Sequence, residues 1–549
     1  MHRWYAVLIT IFGLYACNSP YQNDPSHTVF RYNEFSNITS LDPAFARDQA
    51  NIWACNQLYN GLLQLDDKLH ICPCIAKEWQ IDSSGTTYLF HLRTDVFFHD
   101  HPSFPGGKGR QITAHDFVFS YNRILDPALA SPGTWVFSKV ERTENGYAFT
   151  AIDDSTFQIK LAESFPPFAG ILTMIYCSVV PEEVLSNPGA DFRRNPVGSG
   201  PFSFKTWKEN VKLVLVKNDR YFEFDHDNRL PYLDAVAITF LIDKQSAFLE
   251  FVKGNLDFIS GLDQSYKDEL LTKDGQMRVK YHDRFNMLTQ PYLNTEYLGI
   301  LVDTTLDIVK KSPLKHKKIR QAINHGFDRK KMIRYLRNNI GYPGLYGILP
   351  PGLPAFDSSL IAYDYNPAKA RQLIREAGYG NMEKIPEITL HTTAEYVDLF
   401  KYIQHQLEDI GLKINIEVNP AATLMQMKAY SKINFFRASW IADYPDEENY
   451  LSLFTSKNLA PDGPNYSRFQ NEIYDSLYEK SQRTIMEEER INIYRQMNQA
   501  VIDESPVVIL YYDQVLRFTQ KNIQDLGTNP LNLLSLKRVK KTAGNNEDN

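Results

Sequence analysis

Several features are scarce or missing in this chain of 549 residues, and each absence removes a class of function. Past the first sixteen residues no stretch approaches 18 consecutive apolar residues, so no membrane-spanning helix is expected in the body of the chain. Basic residues number 59 against 65 acidic, a net charge of −6. No basic stripe is there to answer a phosphate backbone, and nucleic-acid binding is disfavoured. A nucleophile elbow is missing, because Gly198-Ser199-Gly200 lacks the Gly-x-Ser-x-Gly frame. The same triplet is no phosphate loop, since no Lys-Ser/Thr follows and no helix opens there. No Ser-His-Asp set stands out, and no cofactor or enzymatic activity is expected.

Cysteine is scarce, at five residues. Apart from Cys17 these are Cys55, Cys72, Cys74 and Cys177. His70-x-Cys72-x-Cys74 lacks the C-x-x-C spacing of a zinc site, and His99-Asp100-His101 and His115-x-x-x-Phe119 lack partner ligands, so no metal is expected. Four cysteines allow three pairings, and a single disulfide within the N-terminal half, its pairing open, is favoured over a metal.

What the chain does have begins with its leader. Arg3 precedes the apolar run from Ala6 to Leu14, and Tyr15-Ala16-Cys17 follows. A basic start, a short apolar core and a small residue before Cys make a secretory signal rather than a membrane span. Leu14-Tyr15-Ala16-Cys17 resembles the lipobox of bacterial lipoproteins, with Tyr15 departing from the usual small residue, and implies lipidation of Cys17. The polar residues 18–26 read as a tether. The remaining length is too great for one core, so two or three domains are expected. Aromatics reach 13%, with 32 Tyr and 33 Phe, enough for the core and for a wet cavity that accepts varied ligands.

Periodicity places a strand at 28–33 and a helix carrying Ile52, Leu58, Tyr59, Leu62 and Leu63 on one face. Short strands follow, then a helix capped by Thr113 with Asp116 in its first turn. Gly198 to Pro201 reads as a turn in which glycine takes positive φ. Residues 385–392, 397–410 and 412–418 read as a right-handed β-α-β unit, ended by Gly411 at C′. Ile433 to Phe436 reads as a buried strand, Arg490 to Ile502 as a helix, and Pro506 to Tyr512 as another buried strand.

The motifs in order carry a resemblance. They are Ser40-Leu41-Asp42-Pro43, Ala76-Lys77-Glu78-Trp79, Tyr88-x-Phe90-x-Leu92-Arg93 through Val96-x-Phe98-His99-Asp100, Ile112-Thr113-Ala114-x-Asp116-x-Val118-Phe119-Ser120 and Pro196-Val197-Gly198-Ser199-Gly200-Pro201-Phe202. Asn218 to Phe222, Lys318 to Arg329 and Tyr365 to Gly378 continue the set. The chain resembles solute-binding protein family 5 of ABC importers, the dipeptide- and oligopeptide-binding proteins. The resemblance implies a periplasmic-binding-protein-like α/β fold of class II, with two α/β lobes, a hinge and a strand-rich N-terminal subdomain. The expected division is 1–16 leader; 17–27 tether; 28–65, 185–290 and 508–540 first lobe; 66–184 subdomain; 291–507 second lobe. The implied partners are a peptide, a permease with its ATPase, and a membrane reached through the lipid, around a monomer. A non-peptide solute such as a nickel complex, haem or an oligosaccharide is the alternative ligand, and a lipid-anchored hydrolase the alternative function.

The candidate site centres on Arg437-Ala438-Ser439-Trp440-Ile441-Ala442-Asp443-Tyr444-Pro445. Read from the residues, a carboxylate beside two aromatics, with an Arg one strand-length away, suits a small zwitterion. The competing readings are that Asp443 caps the following helix, that Arg437 pairs with a neighbouring Glu, and that Trp440 and Tyr444 are core. The resemblance implies that Asp443 in Trp440-x-x-Asp443-Tyr444 holds a peptide's α-ammonium, with Trp440 and Tyr444 as walls. Position in the first lobe adds Asn33, Glu34, Phe35 and Trp135. Of Tyr511 and Tyr512 only one can face the ligand, because alternate side chains of a strand point oppositely, and Tyr511 is the candidate.

Overall fold

The computed structural model describes residues 28–144, 146–187, 191–360, 362–380 and 384–542, so the leader and Cys17 lie outside the described residues. One sheet of eleven strands runs through the protein. Its strands are β1 (Val29–Asn33), β2 (Phe202–Lys208), β3 (Lys212–Lys217), β4 (Ala235–Thr239), β5 (Phe258–Ser260), β6 (Phe285–Ile300), β7 (Ile388–Thr392), β8 (Ile414–Val418), β9 (Phe435–Ile441) and β10 (Val507–Gln520), with the two-residue strand Tyr342–Pro343 attached to β10. The order is β2-β3-β4-β1-β5-β10-β6-β9-β7-β8. Strands β2, β3, β4, β1 and β5 belong to the first lobe, and β9, β7 and β8 to the second.

Only β6 and β10 serve both lobes. Phe285 to Pro291 pairs with Gln520 to Gln514, and Thr295 to Gly299 pairs with Tyr512 to Val507. The register shifts between Pro291 and Thr295. Pro291 has no N–H to give, so the ladder breaks there, and Tyr292, Leu293, Asn294 and Asp513 lie where the chain passes between lobes.

A separate four-stranded sheet, Ala76–Ile81, Thr87–Leu92, Thr156–Lys160 and Phe149–Asp153, forms the strand-rich part of the N-terminal half. The helix Ala114–Leu125 packs on it and begins at the expected N-cap Thr113, where Asp116 of the first turn completes a capping box. In the second lobe the parallel pair β7 and β8 is joined by the helix Val397–Asp409, as the 3.6-residue period predicts, and Gly411 beyond it has φ +95°.

Four readings of the sequence are corrected. The first helix spans Gln49–Leu58 and stops before Tyr59, because the Leu58 carbonyl accepts from the Gly200 N–H (2.9 Å) instead of from a next turn. Gly198 and Gly200 do not sit at positive φ. They are glycine because their Cα atoms lie against the Leu58 and Gln57 carbonyls, where a Cβ would stand 2.1 and 2.5 Å from oxygen. Strand β9 begins at Phe435 and continues through Ile441, since β6 pairs with it residue by residue, so Trp440 is on the strand rather than past it. Among the described residues no disulfide forms: Cys55, Cys72, Cys74 and Cys177 are free thiols. Three of them have separate neighbours, Cys55 the Leu41 carbonyl (3.6 Å), Cys177 that of Ile171 (3.5 Å) and Cys74 the Asn60 amide (3.4 Å). Among the described residues no helix is long and apolar enough to cross a membrane.

Substituting Gly198→Ala or Gly200→Ala is expected to force the turn off the Leu58 carbonyl and to cost about 1–3 kcal/mol each. The urea midpoint of unfolding reads the loss, and an unchanged midpoint for both variants would refute the close-approach account.

Candidate functional site

The strand crossing and its flanks enclose a cavity of about 290 Å³. Asn33, Glu34 and Phe35 line it from the end of β1, Tyr292 from β6, Asp513 from β10, and Arg337 from the segment after the helix Arg329–Leu336. Three expected first-lobe residues therefore meet at the hinge. Asn33 spends its side chain on the 239–241 segment: the amide donates to the Leu241 carbonyl (2.9 Å), and Oδ1 accepts from the Leu241 N–H (2.7 Å). Phe35 is half-buried and carries the Lys244 ammonium 5.8 Å from its ring centre. Glu34 is 8% exposed and its Oε1 has no hydrogen-bond partner. Burial, aided by the Asp48 carboxylate, pushes its pKa up to about 8.

Asp443 lies next to this cavity, beside its lining residue Tyr292. Ala442 donates to the Leu293 carbonyl (2.9 Å), and continuing that antiparallel register sets Asp443 beside Tyr292. The carboxylate does not cap the next helix. Asp446 does that work, its Oδ1 accepting from the Glu448 N–H (2.9 Å) ahead of the helix Glu448–Leu451. Asn449 aims Asp443: its Oδ1 accepts from the Asp443 N–H (3.1 Å) and the Trp440 indole N–H (2.8 Å), while its amide donates to Asp443 Oδ2 (3.3 Å). One side chain thus fixes two candidate residues. Asp443 opens on the cleft water while protein atoms crowd around it, and that crowding raises its pKa against the Asn449 hydrogen bond. Across the gap, burial and the field of Asp443 push Tyr176 up to about 12, so a phenol of the N-terminal half faces this carboxylate.

Tyr444 is buried in the first lobe's core although it stands on the second lobe. Its ring lies 6.2 Å from that of Trp135, which is 38% exposed, and its hydroxyl donates to Glu448. Trp135 and Tyr444 thus close the gap between the two sides. Arg437 is engaged by a neighbouring Glu, the alternative its sequence left open. Its guanidinium donates to both oxygens of buried Glu296 (2.7 and 2.8 Å from Nη2) and to the Tyr396 hydroxyl (2.7 Å). Tyr511 turns toward Arg337, accepting from Nη1 at 3.0 Å, with the guanidinium 4.0 Å above its ring. Tyr512 points to the other face and donates to the Gly347 carbonyl (2.7 Å).

Sequence reasoning missed Arg337, Asp513, Tyr292, Tyr176 and Asn449. One signal was present: Asp513 interrupts the apolar run from Val507 to Leu516, and a charge inside such a strand marks a site or an ion pair. The pair is Arg337–Asp513 at 2.6 Å. His99, one of the histidines weighed as a metal ligand, instead donates from Nε2 to the Gly200 carbonyl (3.0 Å).

The family model described as bacterial extracellular solute-binding proteins, family 5, matches residues 70–461. The chain belongs to this family. Among its relatives, heme-binding protein A of Haemophilus influenzae is 27% identical over 82% of this chain and 80% of that protein. The glutathione-binding protein GsiB of Shigella dysenteriae is 24% identical over 89% and 90%. The periplasmic binding protein DppA of Helicobacter pylori, solved with the peptide STSA, superposes with a TM-score of 0.75 at 23% identity, covering 93% of this chain and 98% of that one. The two-lobed class II architecture expected of a family 5 protein is the one observed.

Below Asp443 this family 5 protein keeps three buried acids. Glu447 Oε1 accepts from the Ala355 N–H (2.5 Å), and burial with the neighbouring Asp446 carboxylate pushes its pKa up to about 7. An acid whose folded pKa lies above its unfolded value of about 4.3 stabilises fully below that value and loses the contribution as pH rises through about 7. Glu34 acts in the same direction up to about pH 8. Stability is therefore expected to fall from pH 5 to 8, with Glu447→Gln removing up to about 1.4 kcal/mol per pH unit of that slope below pH 7. Urea unfolding at pH 5, 6, 7 and 8 measures it, and equal slopes in both proteins contradict the assignment.

Proposed function

We propose that this protein captures peptides in the cleft between its lobes and presents them to the permease of an ABC importer. The observation that supports the reading is Asp443, a carboxylate held by Asn449, walled by Trp440 and Tyr444, and set beside the hinge. A ligand ammonium enclosed here loses its water, and a carboxylate that has only a neutral amide for a partner supplies the missing charge. Ligand groups touching both lobes favour the state in which Trp135 and Tyr444 meet, so binding shifts an open–closed equilibrium about the Pro291–Thr295 break. The closed form is the one a permease reads. The relatives DppA, solved with a peptide, and GsiB, named for glutathione, fit an amine-bearing ligand.

The finer parts of the reading go with it. Asp443, Trp440, Tyr444, Glu34, Asn33, Phe35 and Trp135 form the ligand shell. Arg437 and Tyr511 stand behind it, Arg437 through Glu296 and Tyr511 through Arg337. The body works as a monomer in the periplasm, anchored by lipid at Cys17, without enzymatic turnover. The first lobe comprises 28–65, 185–290 and 508–540, the subdomain 66–184 and the second lobe 291–507. Haem is the second reading, because a relative of similar coverage is named for it.

Calorimetry with di- to pentapeptides and their N-acetylated copies separates these. Asp443→Asn is expected to weaken free peptides by about 2–5 kcal/mol, roughly 30- to several-thousand-fold, and acetylation to do the same. Equal affinity for free and acetylated peptides removes the ammonium role.

A further inference from the structure

The hinge cavity contains more unanswered hydrogen-bonding capacity than the peptide-carrier reading uses. At about 290 Å³ it is far larger than one water, which occupies about 30 Å³. Among the residues that line it, Glu34 has a buried oxygen, Oε1, without a protein partner. Buried polar groups are almost always hydrogen-bonded, so an unpartnered carboxyl oxygen on a residue that lines a cavity points to a ligand there. The charged and titratable groups around Glu34 come from every neighbouring element. They are Tyr32 from β1, Asp48 ahead of the first helix, Tyr292 from β6, Asp513 from β10, Arg337 after its helix, and Lys244 over the ring of Phe35.

Arg337 is the cation that lines the cavity, and its donors are partly committed. Nε donates to the Ile340 carbonyl (3.1 Å), Nη1 to the Tyr511 hydroxyl (3.0 Å) and Nη2 to Asp513 (2.6 Å). A guanidinium carries five N–H groups, so two are left over. Its charge already balances Asp513. Glu34 lines the same cavity from the other lobe without an ion-pair partner, and a buried carboxyl without one takes up a proton. The ammonium of the ligand has Asp443 one strand spacing away, beside Tyr292, so this second acid is not needed for a cation.

We propose that Glu34 enters the complex as a carboxylic acid and donates its proton to a ligand oxygen, a peptide carbonyl or carboxylate, with a spare Arg337 N–H beside it. This deepens the peptide-carrier reading and rests on it. The ligand is then read at two adjacent points of opposite character: Asp443 accepts from its cationic end, while Glu34 and Arg337 donate to an oxygen. The cavity rejects lysyl and arginyl groups, which would bring a cation to two donors. The raised pKa of Glu34 agrees with this protonation state at neutral pH.

Trialanine is the probe, titrated calorimetrically into the full chain and into Glu34→Gln from pH 7 to 9.5, in two buffers of different ionisation heat. The peptide's own ammonium loses its proton near pH 8 and weakens binding to both proteins alike. Glu34→Gln, whose amide N–H donates at every pH, carries that slope alone. Above pH 8 the wild-type affinity is expected to fall up to tenfold per pH unit relative to Glu34→Gln, and the wild type to take up close to one extra proton on binding. A wild-type affinity that gains on the variant with pH means that an ionised carboxylate meets a cation, and overturns the proposal. So does equal proton uptake, provided trialanine binds, and this leaves the peptide-carrier reading intact. Failure of trialanine to bind either protein removes both. Carbon-13 NMR of the glutamate carboxyls in the ligand-free protein gives a check independent of the variant's folding: a Glu34 titration near pH 8 supports the proposal, and one below pH 5 overturns it.

Discussion

Two antiparallel strands, Phe285–Ile300 and Val507–Gln520, run through both lobes, and of the two slips in their register the wider lies between Pro291 and Thr295. The rest of the protein depends on that constraint. A continuous ladder would weld the lobes into one body, and two separate sheets would leave them unaligned. A shared pair whose register slips between Pro291 and Thr295 ties the lobes together while leaving four residues free of the ladder. Those residues, Tyr292, Leu293, Asn294 and Asp513, border the cavity or support the residues that do. The interruption between the lobes and the cavity thus share residues.

Around the break, polar side chains are held by partners chosen for direction more than strength. Asn449 binds both Asp443 and Trp440, so the carboxylate and the indole keep a fixed relation. Glu296 and Arg437 neutralise each other behind β9 and stiffen the wall that carries Asp443. Arg337 bridges Tyr511 and Asp513 and stiffens β10 beyond the break. Removing either partner of such a buried pair leaves a charge uncompensated, which costs more than the intact pair contributes. Glu34, by contrast, keeps an oxygen without a protein partner.

A second theme is close approach. Gly198 and Gly200 press the turn before β2 onto the carbonyls of Gln57 and Leu58, which ends the first helix and seats β2 against it. Gly299 likewise leaves room for the ring of Phe436, where a Cβ would stand 2.3 Å away. Residues scattered along the chain are brought together through such contacts, and neither periodicity nor turn propensity announces them.

The sequence by itself determined the elements with strong local signals. The capped helix after Thr113, the unit from Ile388 to Val418, and the ordered motifs that carry the family were legible because hydrophobic period and capping chemistry act over a few residues. Asp443 was legible for the same reason, as a carboxylate beside two aromatics. Only the tertiary structure decided which partner took Arg437, that the four cysteines stay apart, that Asp446 rather than Asp443 caps the next helix, and that Glu34 lines one cavity with Arg337 and Asp513. Those outcomes depend on contacts between residues tens to hundreds of positions apart, or on competition between near neighbours that packing resolves. A one-dimensional pattern records which groups are available, but not which of them end up facing each other.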